Sequence, residues 1–229
     1  MRITNKLFSI IIKDFPIHKK NKEKDMYLKN VVIPKINRSN ALFIHVPKAA
    51  GSSIQKAVFG LNSWTHHKYK DFEKELPEQT LKKVFKFSFT RNPYDRLFSA
   101  YQYLKNGGNN ITDKYWAKKY LNSYPTFEKF VKEFITTKNV YKYVHFIPQH
   151  EFLIDRNGKI QMDFLGKFET IDDDFNTICK RLVIQNSLES LNITKRKKEI
   201  YSLQAYNCEM KNIVYEVYKK DFILLDYSK

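Results

Sequence analysis

Lys48 and Arg91 each follow a stretch that reads as a strand and each precede a run with helical spacing. A cation at such a junction sits beside the unpaired N–H groups and positive dipole end of a helix start, which suits it to hold a phosphate or phosphate-like group. At the first junction Lys48 is followed by Ala49, Ala50 and Gly51, small residues that let backbone approach a ligand, and then by the hydroxyls of Ser52 and Ser53. At the second, Arg91 is followed by Asn92, a good N-cap, and by Pro93, which suits the first helical position. Asp95 stands at the capping-box position, one carbon shorter than the usual Glu. Ser99 lies two turns further along the same helix. Two cationic turns fit a ligand with two separated anionic groups better than one with a single phosphate chain. Neither GxxxxGK[ST] nor GxGxxG is present, since Lys48 precedes Gly51, so ordinary triphosphate and dinucleotide binding are disfavoured.

Chemistry on a hydroxyl would also need a base, and His titrates near neutrality. His66 and His67 lie in the polar segment from Gly60 to Lys70, where surface histidines are common, so the residues alone leave both roles open. Arg91 has a structural alternative, pairing with Asp95 or Glu169. Asp95 and Arg96 read as a helix cap and a surface or interdomain contact. Trp64 and Trp116 read as core. The acidic start of a helix at Asp172 to Asp174 has no His or Cys at ligand spacing, so no metal site is expected.

These residues need elements to position them. Ala41 to Val46 is a short apolar run, as in a strand buried on both faces of a parallel sheet, and Ile54 to Phe59 begins an amphipathic helix. A helix is expected around Asp71 to Leu76, and a second strand within Leu81 to Thr90, where Phe85, Phe87 and Phe89 alternate with polar residues. The helix after Pro93 turns Tyr94, Leu97, Phe98, Tyr101 and Leu104 inward and stops before Gly107-Gly108. Thr126 caps another helix, Asn157-Gly158 signals a hairpin, and Asp163 to Phe168 reads as a strand. A helix follows Asp172 to Asp174 with Phe175, Ile178, Cys179, Leu182 and Val183 inward. Leu191 to Lys198 is a basic loop, and a last helix spans about Tyr201 to Lys219. Alternating strands and helices give an α/β fold around a mainly parallel sheet. Ligands in such sheets sit at the carboxyl ends of the strands, so Lys48 and Arg91 face one crevice. Residues 1–40 read as an N-terminal arm and 41–229 as a single domain.

The chain has 229 residues, 42% of them hydrophobic, which is enough for one domain with a real core. Its net charge of +17 points to an anionic partner, although a coding bias toward Lys, Asn, Ile and Tyr accounts for the excess equally well. Only Cys179 and Cys208 are present, a pattern of reducing compartments. Leu7 to Ile12 is far shorter than the roughly 20 apolar residues that span a bilayer, and no cleavage site follows. A cytoplasmic protein is expected, with neither signal peptide nor transmembrane anchor; peripheral contact with a membrane stays open.

HVPKAAGSS followed by FSFTRNPYDRLFSAY resembles the carbohydrate sulfotransferase family. Pro148-Gln149, the segment IDRNGKIQMDFLGKFE, and Tyr218, Asp221 and Phe222 extend the resemblance over Ala41 to Tyr227. It implies a P-loop-like three-layer fold, with a central mainly parallel sheet flanked by helices. It also implies sulfuryl transfer, without a metal, from 3′-phosphoadenosine 5′-phosphosulfate to a hydroxyl of a carbohydrate or glycoconjugate, leaving adenosine 3′,5′-bisphosphate. By the same resemblance Lys48, Ala49, Ala50, Gly51, Ser52 and Ser53 form the 5′-phosphosulfate loop, with Lys48 near the bridging oxygen. Arg91 and Ser99 hold the 3′-phosphate. The basic loop around Asn192 to Lys198 closes over the adenosine side. The family places a His between the two phosphate motifs. His66 fits better by its distance to Asp71, with His67 as the alternative. The acceptor is not identified, and the charge favours an acidic one. Two rival readings are a kinase-like phosphotransferase with a degenerate nucleotide loop and a polyanion-binding protein without activity. No nucleic-acid-binding signature is visible.

Overall fold

A computed structural model describes residues 23–61, 66–185 and 204–229. The chain divides into two units, Met1–Asn40 and Ala41–Lys229. Within the described part of the first, residues 23–39 are helical. A π-turn over Leu28–Val32 runs into α1 (Ile33–Ser39), whose first turn contains Pro34. Proline has no N–H to donate to the preceding turn, which disfavours regular α geometry there.

The second unit is built on three parallel strands in the order β1 (Ala41–Ile44), β2 (Phe85–Thr90) and β3 (Phe164–Lys167). All four β1 residues are buried, as the continuous apolar run implies. In β2 the polar residues that alternate with phenylalanine are buried too, because each finds a partner. Lys86 Nζ donates to the Leu81 and Val84 carbonyls and pairs with Asp163 at 3.0 Å. Ser88 Oγ donates to the Ile44 carbonyl at 2.6 Å. Register pairs Ile44 with Ser88, so β2 runs beyond β1 and delivers Arg91 past the end of its neighbour.

Helices flank this sheet, giving the mixed α/β architecture expected. α2 (Gly51–Phe59) follows β1, and α3 (Tyr69–Glu75) and α4 (Glu78–Lys83) lead into β2. Residues Leu81 to Lys83 therefore end a helix instead of starting the strand. α5 (Pro93–Lys105) follows β2, with the Asn92 side chain accepting from the Tyr94 N–H. Asp95 does not close a capping box; the Glu169 carboxylate accepts from the Asn92 N–H instead, at 2.7 Å.

α6 (Ile111–Tyr120) and α7 (Phe127–Lys129), continued by a π-turn over Phe130–Phe134, surround an aromatic core that includes Tyr101, Trp116, Phe130, Phe134 and Phe146. Thr126 caps α7 as expected. α8 (His150–Leu153) precedes the Asn157-Gly158 turn, where Gly158 takes φ 80 and the Asp155 carboxylate accepts from the Asn157 and Lys159 N–H groups. One antiparallel bridge, Ile154 to Ile160, closes it, so the hairpin is minimal. In α9 (Ile171–Leu182) Phe175, Ile178 and Cys179 are buried, but Val183 is 90% exposed and ends the helix in the left-handed region. Val183 is a terminus, not an inward residue. α10 (Cys208–Leu224) begins at the Asn207 cap, later than the apolar spacing indicates. Trp64, the basic loop at Leu191 to Lys198, Tyr201 and Leu203 lie outside the described residues. Among the described residues no helix is long and apolar enough to cross a membrane.

Candidate active site

After β1 the chain turns through His45 to Ala50 and enters α2 at Gly51. Lys48 (φ 68) and Ala50 (φ 61) are both left-handed, although neither is glycine. Each such residue costs on the order of 1 kcal/mol or more, so neighbouring contacts must hold this turn. Alternating handedness along a turn aims successive N–H groups into one concavity that suits an anion. Ala50 gives α2 no side-chain cap, and the first turn of α2 carries no acidic residue. The positive end of α2 is therefore not neutralised by its own sequence. Ser52 is exposed and Ser53 half-buried at this end, whereas Ala49 is buried. Gly51 is required by space: a Cβ there would lie 1.8 Å from the His45 ring.

The ammonium of Lys48 sits 4.0 Å from the centre of the Tyr103 ring. The Tyr103 hydroxyl donates to the buried Asp113 carboxylate at 2.5 Å, and Tyr143 and Asn110 donate to the same group. Beside this wall stand three imidazoles. His45 and His66 have ring centres 4.3 Å apart, and His66 and His145 are 5.7 Å apart. His145 in turn lies against Tyr103 and Tyr143.

His66 Nδ1 is 3.2 Å from the His45 carbonyl oxygen. A carbonyl only accepts, so Nδ1 carries the proton and Nε2 becomes the basic nitrogen. Burial, reinforced by His66, His145 and Lys48, pushes His45 well below the usual histidine range. Burial, with His66 next, lowers His145 to about 3. Both rings are thus neutral at physiological pH, and the Nδ1 atom of each is buried without a hydrogen-bond partner among the described residues. His67 faces elsewhere; it is 1% exposed and lies edge-on to Phe72.

The end of β2 is organised differently. Arg91 is buried, its Nε and Nη2 donate to Asp95 Oδ2 at 3.1 and 2.8 Å, and its guanidinium lies 4.0 Å from the Phe168 ring centre. Its backbone is clamped on both sides by Gln149: Oε1 accepts from the Arg91 N–H at 2.9 Å, and Nε2 donates to the Arg91 carbonyl at 2.7 Å. The Asp221 carboxylate fixes Gln149 and His150 by accepting from both backbone N–H groups and lying 2.6 Å from His150 Nδ1. Pro148-Gln149 and Asp221, remote in sequence, thus act on the residue that ends β2. Ser99, half-buried on α5, lies on the same helical face as Asp95.

The site residues read from the sequence fall into three places. Lys48 and the loop to Ser53 form one end with His66 beside it, Arg91 and Ser99 belong to the other, and His67 stands apart in the core. His45, Tyr103, Asp113 and His145 are further residues of the first end. Only His45 carried a signal, being next to the loop in the chain; Tyr103 arrives from α5, Asp113 from α6 and His145 from the segment before α8. Arg96 is no surface residue: it is buried and donates to the carbonyls of Pro47, His145 and Ile147.

A family model described as "Sulfotransferase family" matches residues 36–228. Carbohydrate sulfotransferase 11 of Rattus norvegicus is 25% identical over 185 residues, covering 67% of this chain and 50% of that protein. Carbohydrate sulfotransferase 12 of Mus musculus is 26% identical over 186 residues, covering 71% of this chain and 44% of that protein. The chain spans about half the length of the curated relatives it matches. No solved structure matches it at a significant level.

Proposed function

The chain belongs to the sulfotransferase family, and from that premise we propose that it moves a sulfuryl group from 3′-phosphoadenosine 5′-phosphosulfate to a hydroxyl of a carbohydrate or glycoconjugate. The observation that carries the reading is the left-handed, acid-free turn from Lys48 to Ser53 at the start of α2, with a buried arginine at the end of the neighbouring strand. The residues fit a donor with anionic groups at both its 5′ and 3′ positions. The N–H groups at the start of α2 and the hydroxyls of Ser52 and Ser53 hold the 5′-phosphate, while Arg91 and Ser99 hold the 3′-phosphate. The donor supplies an activated sulfuryl group on a good leaving group.

The chain's own residues do the rest. Lys48 offsets negative charge on the bridging oxygen as the S–O bond to the nucleotide breaks. His66 takes the acceptor's hydroxyl proton on Nε2, because its Nδ1 is committed to the His45 carbonyl. His45 and His145 remain neutral beside it, so they keep the pocket polar without adding positive charges that would oppose proton uptake by His66. Support for a carbohydrate acceptor is the relatives' names alone. We place the reaction in a reducing compartment, with neither Cys179 nor Cys208 in a disulfide, and in the cytoplasm. The charge of +17 favours an acidic acceptor.

The test is transfer of labelled sulfate from the donor to a panel of glycans, neutral and acidic, with fractionation of the native protein to check its location. Label appearing on a glycan hydroxyl supports the reading. Label retained on the donor with every acceptor, while phosphate from ATP is transferred instead, overturns it.

A further inference from the structure

Arg96 is completely buried, yet none of its hydrogen bonds described above goes to a carboxylate. Its Nε donates to the Pro47 carbonyl at 2.9 Å, and its Nη2 to the carbonyls of Ile147 at 2.8 Å and His145 at 3.3 Å. A buried guanidinium is costly unless its donors are satisfied, and a planar fork can meet several acceptors at fixed angles where an ammonium cannot. Tyr218 and Asp221 lie near enough to favour the charge, while burial, the larger effect, works against it.

The three carbonyls belong to two segments. Pro47 immediately precedes Lys48 and the left-handed turn. His145 contributes the ring that faces His66, and Ile147 immediately precedes Pro148-Gln149. Gln149 is the residue that clamps the Arg91 backbone on both sides. Arg96 itself sits on α5, in the first turns after Arg91 and Asn92. One side chain therefore ties the loop after β1 to the segment that sets the end of β2.

We propose that Arg96 is a positioning residue that fixes the spacing between the two anion-binding ends, so that a nucleotide phosphorylated at both 5′ and 3′ positions engages both at once. This rests on the donor reading above. The alignment acts through backbone carbonyls, so Lys in place of Arg keeps the charge and loses the fork.

The experiment compares adenosine 3′,5′-bisphosphate with adenosine 5′-phosphate by calorimetry, in the wild-type chain and in Arg96→Lys. The wild-type chain should bind the bisphosphate at least tenfold more tightly than the monophosphate. In Arg96→Lys, shown folded by circular dichroism, that ratio should fall about tenfold while monophosphate affinity changes little. A purely structural arginine would weaken both ligands alike or lower the melting temperature with the ratio intact, and either result overturns the proposal. If the wild-type chain binds neither nucleotide, the donor reading fails instead. Should Arg96→Lys not fold, the Arg96 Nε–H resonance of the wild-type chain carries the test. It should shift when adenosine 5′-phosphate occupies the loop, and an unmoved signal under saturating ligand contradicts the role.

Discussion

The ends of β1 and β2 both present a cation at the start of a helix, but they are built by opposite means. The turn after β1 is made by backbone: two left-handed residues, small side chains and an acid-free first turn of α2. The turn after β2 is made by side chains. Gln149 holds the Arg91 backbone, Asp95 and Phe168 hold its guanidinium, and Glu169 accepts from the next N–H. The turn after β1 can lose the Lys48 side chain and keep its shape, because its backbone and the Arg96 bond to the Pro47 carbonyl set it. A site built from remote side chains loses shape and binding together. Substitution should therefore separate chemistry from stability at the first end and not at the second.

Lys48→Ala should give the largest effect, a fall in turnover of about 10³-fold, the size seen when one charge-stabilising group is removed. Its melting temperature should stay within a degree or two of the wild type. His66→Ala should lower turnover by about 10²-fold, with affinity for adenosine 3′,5′-bisphosphate preserved. His67→Ala should instead lower stability, because that ring is buried against Phe72. If the two histidines exchange these outcomes in labelled-sulfate assays, the base is misassigned.

At the other end, Gln149→Ala should cost about 1–3 kcal/mol, the penalty for buried polar groups left unpaired. Urea denaturation should show this together with weaker bisphosphate binding. A variant that kept full stability but lost affinity would erase the distinction drawn between the two ends.

Arg91→Met should leave Asp95 buried without its cation. Burial raises the Asp95 carboxyl pKa, and Arg91 opposes that rise. Without Arg91 the folded chain should keep the proton to higher pH than the unfolded chain. Above the unfolded value of about 3.9 the native state then binds more protons, so stability falls as pH rises. Relative to the wild type, Arg91→Met should lose more stability at pH 8 than at pH 5, read from denaturation midpoints at the two pH values.

The histidine cluster carries the opposite sign. Unfolded histidines take up protons near pH 6.5, whereas folded His45 and His145 stay neutral to much lower pH. The unfolded state thus binds more protons below that point, and stability should fall as pH drops from about 6.5 toward 5. His145→Phe should flatten the slope, read from melts across that range.

The same difference in construction explains what the amino-acid order makes legible. The loop from Lys48 to Ser53 is contiguous, so its small residues, Lys and Ser announce an anion site before any fold is known. The strands and α5 are legible for the same reason, since periodicity and caps are local. The clamp on Arg91 is assembled from residues that come together only when β2, α8 and α10 pack. Arg96 looked like a surface residue because a charged side chain among polar neighbours usually is one. Three main-chain carbonyls, supplied by other segments, make its burial tolerable, and carbonyls leave no mark on a sequence. Asp95 illustrates the same limit: its place favoured a cap, but Glu169 reaches the Asn92 N–H and leaves Asp95 to Arg91.

The central claim is a two-point clamp at the ends of β1 and β2 for a nucleotide with phosphates at both 5′ and 3′ positions. Isothermal calorimetry with adenosine 3′,5′-bisphosphate, adenosine 5′-phosphate and ATP with magnesium tests it most directly. The account predicts that the bisphosphate binds at least tenfold more tightly than either of the others, and that Arg91→Met abolishes this preference. Equal binding of the three, or a preference for ATP with magnesium, would contradict it.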